Sequence, residues 1–283
     1  RKNMIIWLAS YPKSGNTWVR SFLAAYYFCE NGIFDVEKLD IIEDYPNKQF
    51  FKEKVKQGEI HKHWETSQKD IRDQKKVKFL KTHNSLITAF GNDFTKPEYS
   101  LGVIYVIRDP RNVITSVKNH NDLDSYDEAL KFMQDENKVL EDYPHLKNYA
   151  KTNIVNSWRI NYRSWLSNKS FRRVTIRYED MVKNPTQTFE KLVVFVNTLM
   201  RFDNKIDQKK LNNAIDTTNF KSLQNIENAG KFGENVYSLK DNRKIKFFYQ
   251  GPENDWKKNL DENMIKKMNE YYRNDLKFFQ YEN

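Results

Sequence analysis

Ile5-Ile6-Trp7-Leu8-Ala9-Ser10-Tyr11-Pro12-Lys13-Ser14-Gly15-Asn16-Thr17-Trp18 runs as a short apolar strand into a tight turn and then straight into a helix. The turn 11–16 offers successive backbone N–H groups, and a helix starting near Thr17 adds its own unpaired N–H groups and the positive end of its dipole. Lys13 supplies a full charge, and Gly15 lets the backbone bend and approach a ligand with no Cβ in the way. The hydroxyls of Ser14 and Thr17 are placed to donate to phosphate-like oxygens. A phosphate or sulfate ester fits this chemistry.

The nucleoside-triphosphate loop Gly-x-x-x-x-Gly-Lys-Ser/Thr carries its lysine after the last glycine and uses the following hydroxyl to hold magnesium. Here Lys13 comes two residues before Gly15, Ser10 takes the first glycine position, and no Gly-Lys-Ser/Thr occurs in the chain. Tyr-Pro-Lys-Ser-Gly-x-Thr-Trp instead resembles the 5′-phosphosulfate loop of the sulfotransferases, which use 3′-phosphoadenosine 5′-phosphosulfate (PAPS) as donor. The resemblance implies donor contacts from Lys13, Ser14, Gly15, Asn16 and Thr17, with Trp18 in the place of the family's adenine-stacking tryptophan.

At 283 residues, with no Gly/Ser/Pro-rich linker, the chain reads as one domain, and 39% hydrophobic with 14% aromatic residues describes a globular protein with an aromatic-rich core. The only cysteine, Cys29, cannot form an internal disulfide; it argues for a reducing, cytoplasmic setting and is expected to pack in the first helix. The longest apolar strings, 5–9 and 192–196, are far short of the ~20 residues of a membrane span. No signal peptide is recognisable, and a segment before Arg1 is left open. A net charge of +10 suits a polyanionic donor, and equally a membrane surface, an acidic glycan or nucleic acid, so charge alone decides nothing.

Beyond the first strand and a helix over 17–28, the pattern predicts short helices at 47–57 and 66–74 within a charged, aromatic-dotted segment 35–76. Strands follow at 77–82 and 101–107, helices at 110–120, 125–140 and 146–168, a strand at 174–177 and a helix over 185–199. Strands alternating with helices imply βαβ crossovers and an α/β fold with a central parallel sheet flanked by helices. The resemblance specifies it as the P-loop nucleotide-kinase-like sulfotransferase fold. Segments 35–76 and 121–145 read as acceptor-side caps, and 261–279 carries apolar residues at helical spacing for packing.

His83 ends the second strand in Phe-Leu-Lys-Thr-His, at the carboxyl edge where open α/β sheets place ligands, with Lys81 two residues back on the same face. The segment looks like the sulfotransferase Lys-Thr-His segment, which implies His83 as catalytic base and Lys81, with Lys13, as a contact to the donor's sulfonate or phosphate. Arg108 leaves the third strand as a permanently charged fork, and Ser116 lies about two helical turns on. This resembles the family's 3′-phosphate motif; Asp109 can cap the following helix while Arg108 binds, and Arg111 is expected at the surface. Tyr178, Thr218 and Phe220 match the family's other adenine contacts by their order along the chain. The family's Arg-Lys-Gly-x-x-Gly-Asp-Trp appears as Tyr249-Gln250-Gly251-Pro252-Glu253-Asn254-Asp255-Trp256: Gly251 keeps its place and can offer a backbone N–H, but the Arg-Lys pair is lost unless Arg243, Lys244 or Lys246 reaches in. The family's dimerisation segment is not recognisable in 257–266.

The resemblance covers 4–256 and implies sulfuryl transfer from PAPS to a hydroxyl or amine of a small-molecule, lipid or glycan acceptor. Adenosine 3′,5′-bisphosphate (PAP) is the product, and neither a metal nor nucleic acid is called for. The alternatives are a P-loop-type kinase, for which Asp109 is a poor magnesium carboxylate, and a catalytically dead binder, which would not need His83.

Overall fold

A computed structural model describes residues 4–281 except 75, 142–148, 204, 235 and 239. Strand β1 (Ile5–Ser10) is buried along its whole length. Ile5, Trp7 and Ala9 pack into one hydrophobic cluster and Ile6 and Leu8 into another. A strand buried on both faces needs parallel neighbours with helices above and below. The sheet supplies them in the order β2 (Glu43–Asp44), β3 (Lys78–Thr82), β1, β4 (Ser100–Ile107), β5 (Arg173–Arg177), every pair parallel.

One face is covered by α1 (Asn16–Phe28) and, after the short α6 (Tyr178–Lys183), by α7 (Pro185–Met200) and α8 (Gln208–Thr217), which bury Phe22, Phe189, Leu192 and Leu211. On the other face lie α3 (Pro110–His120) and α5 (Trp158–Ser167), with Val113, Ile114, Trp158 and Trp165. The chain leaves β1 towards β2 at one edge and leaves β4 towards β5 at the other. These opposite departures open a crevice outside the carboxyl ends of the two central strands, where such sheets bind ligands.

Several expected elements are shorter than the pattern suggested. In 47–57 only Lys48–Phe50 forms a helical turn, while the 66–74 expectation is met by α2 (Trp64–Asp73). The helix expected over 125–140 is α4 (Tyr126–Gln134): Asp135 turns extended and accepts from the Asn137 N–H, and Val139–Leu140 then pairs antiparallel with Asn153–Ile154. Helix α5 starts at Trp158 because Ser157 caps it by accepting from the Ile160 N–H; residues 146–148 of the expected helix, and 142–145 of the expected cap, lie outside the described residues. Cys29 sits just past the end of α1, half-buried. The C-terminal segment packs as expected, with Met264, Met268 and Leu276 buried on helices Glu262–Tyr271 and Arg273–Phe278 and Tyr272 buried at the junction between them. Among the described residues no helix is long and apolar enough to cross a membrane.

Candidate active site

The loop between β1 and α1 holds Lys13 at φ +65° and Gly15 at φ +99°. Gly15 stands at the N-cap with no side-chain cap, leaving the Asn16 and Thr17 N–H groups at the start of α1 for a ligand, while the Trp18 N–H donates to the Gly15 carbonyl. A Cβ on Gly15 would lie 2.6 Å from the Tyr178 ring, so the glycine serves both the left-handed turn and the close approach of that ring.

Register brings His83 to this loop. Ala9 pairs with Thr82, so the next residues, Ser10 and His83, leave their strands side by side, and His83 Nδ1 lies 2.8 Å from the Ser10 carbonyl oxygen. A carbonyl can only accept, so Nδ1 carries the proton and Nε2 keeps its lone pair. Burial, reinforced by the Lys81 ammonium, pushes His83 down to about 4. The ring is therefore neutral at physiological pH, with a proton-accepting nitrogen.

Lys81, on β3, is ion-paired to Asp44 of β2 at 2.9 Å. Burial works against the Lys81 charge, but Asp44 and Glu234 outweigh it and raise its pKa, while burial of Asp44 is overcome by Lys81 and Arg20, which hold that carboxyl down to about 2. Among the described residues no carboxylate pairs with Lys13 in this way: burial, then repulsion from Lys81, lower it to about 7.

At the end of β4, Asp109 caps α3 by accepting from the Arg111 N–H at 2.9 Å, which frees Arg108 to turn into the crevice. The Arg108 guanidinium lies 3.9 Å over the Tyr178 ring and donates to the Ser116 hydroxyl (3.4 Å), the Lys13 carbonyl (3.4 Å) and the Gly251 carbonyl (3.0 Å). Gly251 thus presents its carbonyl to Arg108, and at φ +53° a Cβ on it would lie 2.3 Å from the Phe220 ring, so only glycine leaves room for that ring. Arg111 is not a surface residue: it is fully buried, clamps Asp109 through Nε and Nη2, donates to Asn269 and lies 4.0 Å over the Trp256 ring.

These groups share one cavity of about 340 Å³, lined by Lys13, Gly15, Asn16, Thr17, Trp18, Lys81, His83, Arg108, Ser116, Tyr178, Phe220 and Gly251 among others, with no carboxylate among the described residues of its lining. Among the described residues no three His, Cys, Asp or Glu side chains gather as a metal site. A scan against family models matches residues 4–280 to the sulfotransferase domain. The chain belongs to the sulfotransferase family. It is 25% identical over 258 residues to dog sulfotransferase 1A1 (88% of this chain, 76% of that protein) and 25% identical over 286 residues to human sulfotransferase 1E1 (95% and 83%). Among solved structures, mouse sulfotransferase SULT7A1 complexed with PAP aligns with TM-score 0.54 at 14% identity (97% of this chain, 84% of that one). Retinol dehydratase with androsterone and PAP aligns at 0.55 and 18% (96% and 80%). This sulfotransferase is thus an α/β enzyme of the PAPS-dependent class.

Two expected site residues stand apart from the cavity lining. Thr218 is buried and spends its hydroxyl on the Ala214 carbonyl (2.6 Å), and the Ser14 hydroxyl is buried behind the loop. Asn16 reaches the cavity, but its amide donates back to the Leu8 carbonyl and the Ser10 hydroxyl, tying the loop to β1. No described residue of 35–76 lines the cavity, whereas Asn121, Phe132 and Leu140 of 121–145 do.

None of Arg243, Lys244 or Lys246 lines it either; Arg243 is paired with Asp122 and Asp241. In place of the lost Arg-Lys pair stands an amide cluster, in which Asn254 donates to the Asn112 carbonyl (2.8 Å) and the Ser116 hydroxyl (3.4 Å), and Asn259 donates to Gln250 (3.0 Å). Sequence reading missed His120 and Phe247. The signal for His120 was its spacing: four residues after Ser116, it shares that residue's helix face.

Proposed function

We propose that this sulfotransferase takes PAPS as donor and moves its sulfuryl group to a hydroxyl or amine of a small-molecule acceptor, with His83 as general base. One observation carries the reading: a neutral imidazole with its Nε2 lone pair free opens on the same cavity as the loop cation Lys13 and the Arg108–Ser116 pair. The fit to an oxygen-rich donor is supported by Trp18 Nε1 and Arg108 Nε of the cavity lining, both buried and without a hydrogen-bond partner among the described residues. Buried polar atoms of this kind call for partners, and phosphate, sulfonate and adenine can supply them.

In this reading the loop N–H groups and Lys13 hold the phosphosulfate, Arg108 and Ser116 the 3′-phosphate, and Trp18, Tyr178 and Phe220 flank the base. The donor supplies an activated sulfuryl group. The acceptor's O–H or N–H proton passes to His83 Nε2 as the new bond to sulfur forms, the bond from sulfur to the bridging oxygen breaks, and PAP leaves with that electron pair. Lys13 and Lys81 neutralise the charge that builds on the sulfonate and the bridging oxygen. Phe132 and Leu140 with Asn119 and Asn121 form the acceptor wall, and the androsterone held by retinol dehydratase supports a small molecule there.

The test is transfer of labelled sulfur from PAPS to a panel of hydroxyl and amine acceptors by the parent and by His83→Asn. The variant should lose a factor on the order of 10²–10⁴ in turnover while retaining nucleotide affinity. Near-normal turnover would place the base elsewhere.

A further inference from the structure

Lys13 does not stand free in the cavity. Its ammonium lies 4.1 Å above the Phe247 ring and 3.2 Å from Nδ1 of His120, the last residue of α3. An ammonium can only donate, so His120 Nδ1 is the lone-pair nitrogen and its proton sits on Nε2, the opposite tautomer to His83. A cation at the end of α3 also meets the negative end of that helix's dipole. The ring beneath the ammonium is pinned in turn: the Glu227 carboxylate accepts from the N–H groups of Phe247 (2.6 Å) and Phe248 (3.0 Å). The loop, the end of α3 and the segment around Phe247 therefore converge on one nitrogen.

We propose that His120 is a positioning residue for Lys13: its imidazole accepts from the ammonium and holds it across the cavity against Phe247, fixing where the loop's cation stands before the donor arrives. The role rests on the donor-site reading above. The charged and titratable groups facing the pair are Lys81 on β3, Arg108 after β4, His83, and Glu227 and Glu234 from the segment beyond α8. Burial, then Lys13 itself, hold His120 well below the ordinary imidazole range. His120 thus stays a neutral acceptor while Lys13 titrates near 7, and a hydrogen bond to the charged form favours that form.

The test needs neither donor nor acceptor. Acetylation of Lys13 by acetic anhydride, followed against pH by peptide mass spectrometry, reads the fraction of free amine. His120→Leu removes the acceptor and should move the Lys13 midpoint down by about one pH unit, the worth of a hydrogen bond to a charged group. His120→Gln, whose amide oxygen can accept, should keep the parent midpoint. Should the Leu variant fail to fold, His120→Met preserves bulk with only a weak acceptor and should shift the same way. An unmoved midpoint in the Leu or Met variant, or an equal shift with Gln, would overturn the proposal. A chain that failed to transfer sulfur would leave this measurement standing.

Discussion

The most demanding consequence of the site geometry concerns acid. His83 must be neutral to accept a proton, and burial together with Lys81 holds it down to about 4. At pH 5 a group titrating at 4 is about 90% neutral, whereas an imidazole at its ordinary 6.5 is only about 3% neutral, so the two cases differ roughly thirty-fold in active enzyme. The acid limb of kcat/KM, which reports the free enzyme, should accordingly have its midpoint near 4. The assay uses an aliphatic alcohol that does not itself titrate, with activity recovered at pH 7 as the check that the fold survived. Lys81→Met removes the nearby cation and releases Asp44, and both changes favour the imidazolium, so the limb should move to higher pH whatever happens to the rate. A parent limb near 6.5, or one that does not move in Lys81→Met, would refute the role assigned to His83 or the environment assigned to it.

Lys13→Met should abolish transfer yet raise the melting temperature at pH 6. With Lys13 lowered to about 7, the folded chain binds fewer protons than the unfolded one between about pH 7 and the ordinary lysine value, so stability falls as pH drops through that window and the cost of holding the ammonium is full below pH 7; a lower melting temperature would contradict this. Gly15→Ala places a Cβ against Tyr178 at φ +99° and should cost about 1–3 kcal/mol in denaturant unfolding while weakening nucleotide binding; a fully stable, tight-binding variant would show that the loop has another conformation to adopt.

Strand-to-helix transitions were legible wherever a local signal was strong. The apolar runs that became β1 and β4, Pro110 at the start of α3 and the Lys13–Gly15 turn all stand where the sequence put them. Helix ends were misjudged where a polar side chain captured the backbone, as Asp135 and Ser157 do, because those competitions are settled by a single hydrogen bond and hardly change the apolar periodicity. Arg111 was misread for a related reason: an arginine one residue into a helix looks solvent-facing until its partners are known, and Asn269 and Trp256 lie more than 140 residues away. Separation in sequence likewise hid the Lys81–Asp44 pair and the meeting of Lys13 with Phe247.

The donor assignment can be tested most directly by calorimetry with adenosine 3′,5′-bisphosphate, AMP and ATP on the parent chain. Arg108 and Ser116 should reward the 3′-phosphate with charge-assisted hydrogen bonds, while the amide cluster around Asn254 adds no charge. PAP should therefore bind about 10- to 100-fold more tightly than AMP, the span that about 1.5–3 kcal/mol corresponds to. Equal affinity for the three nucleotides would contradict the account.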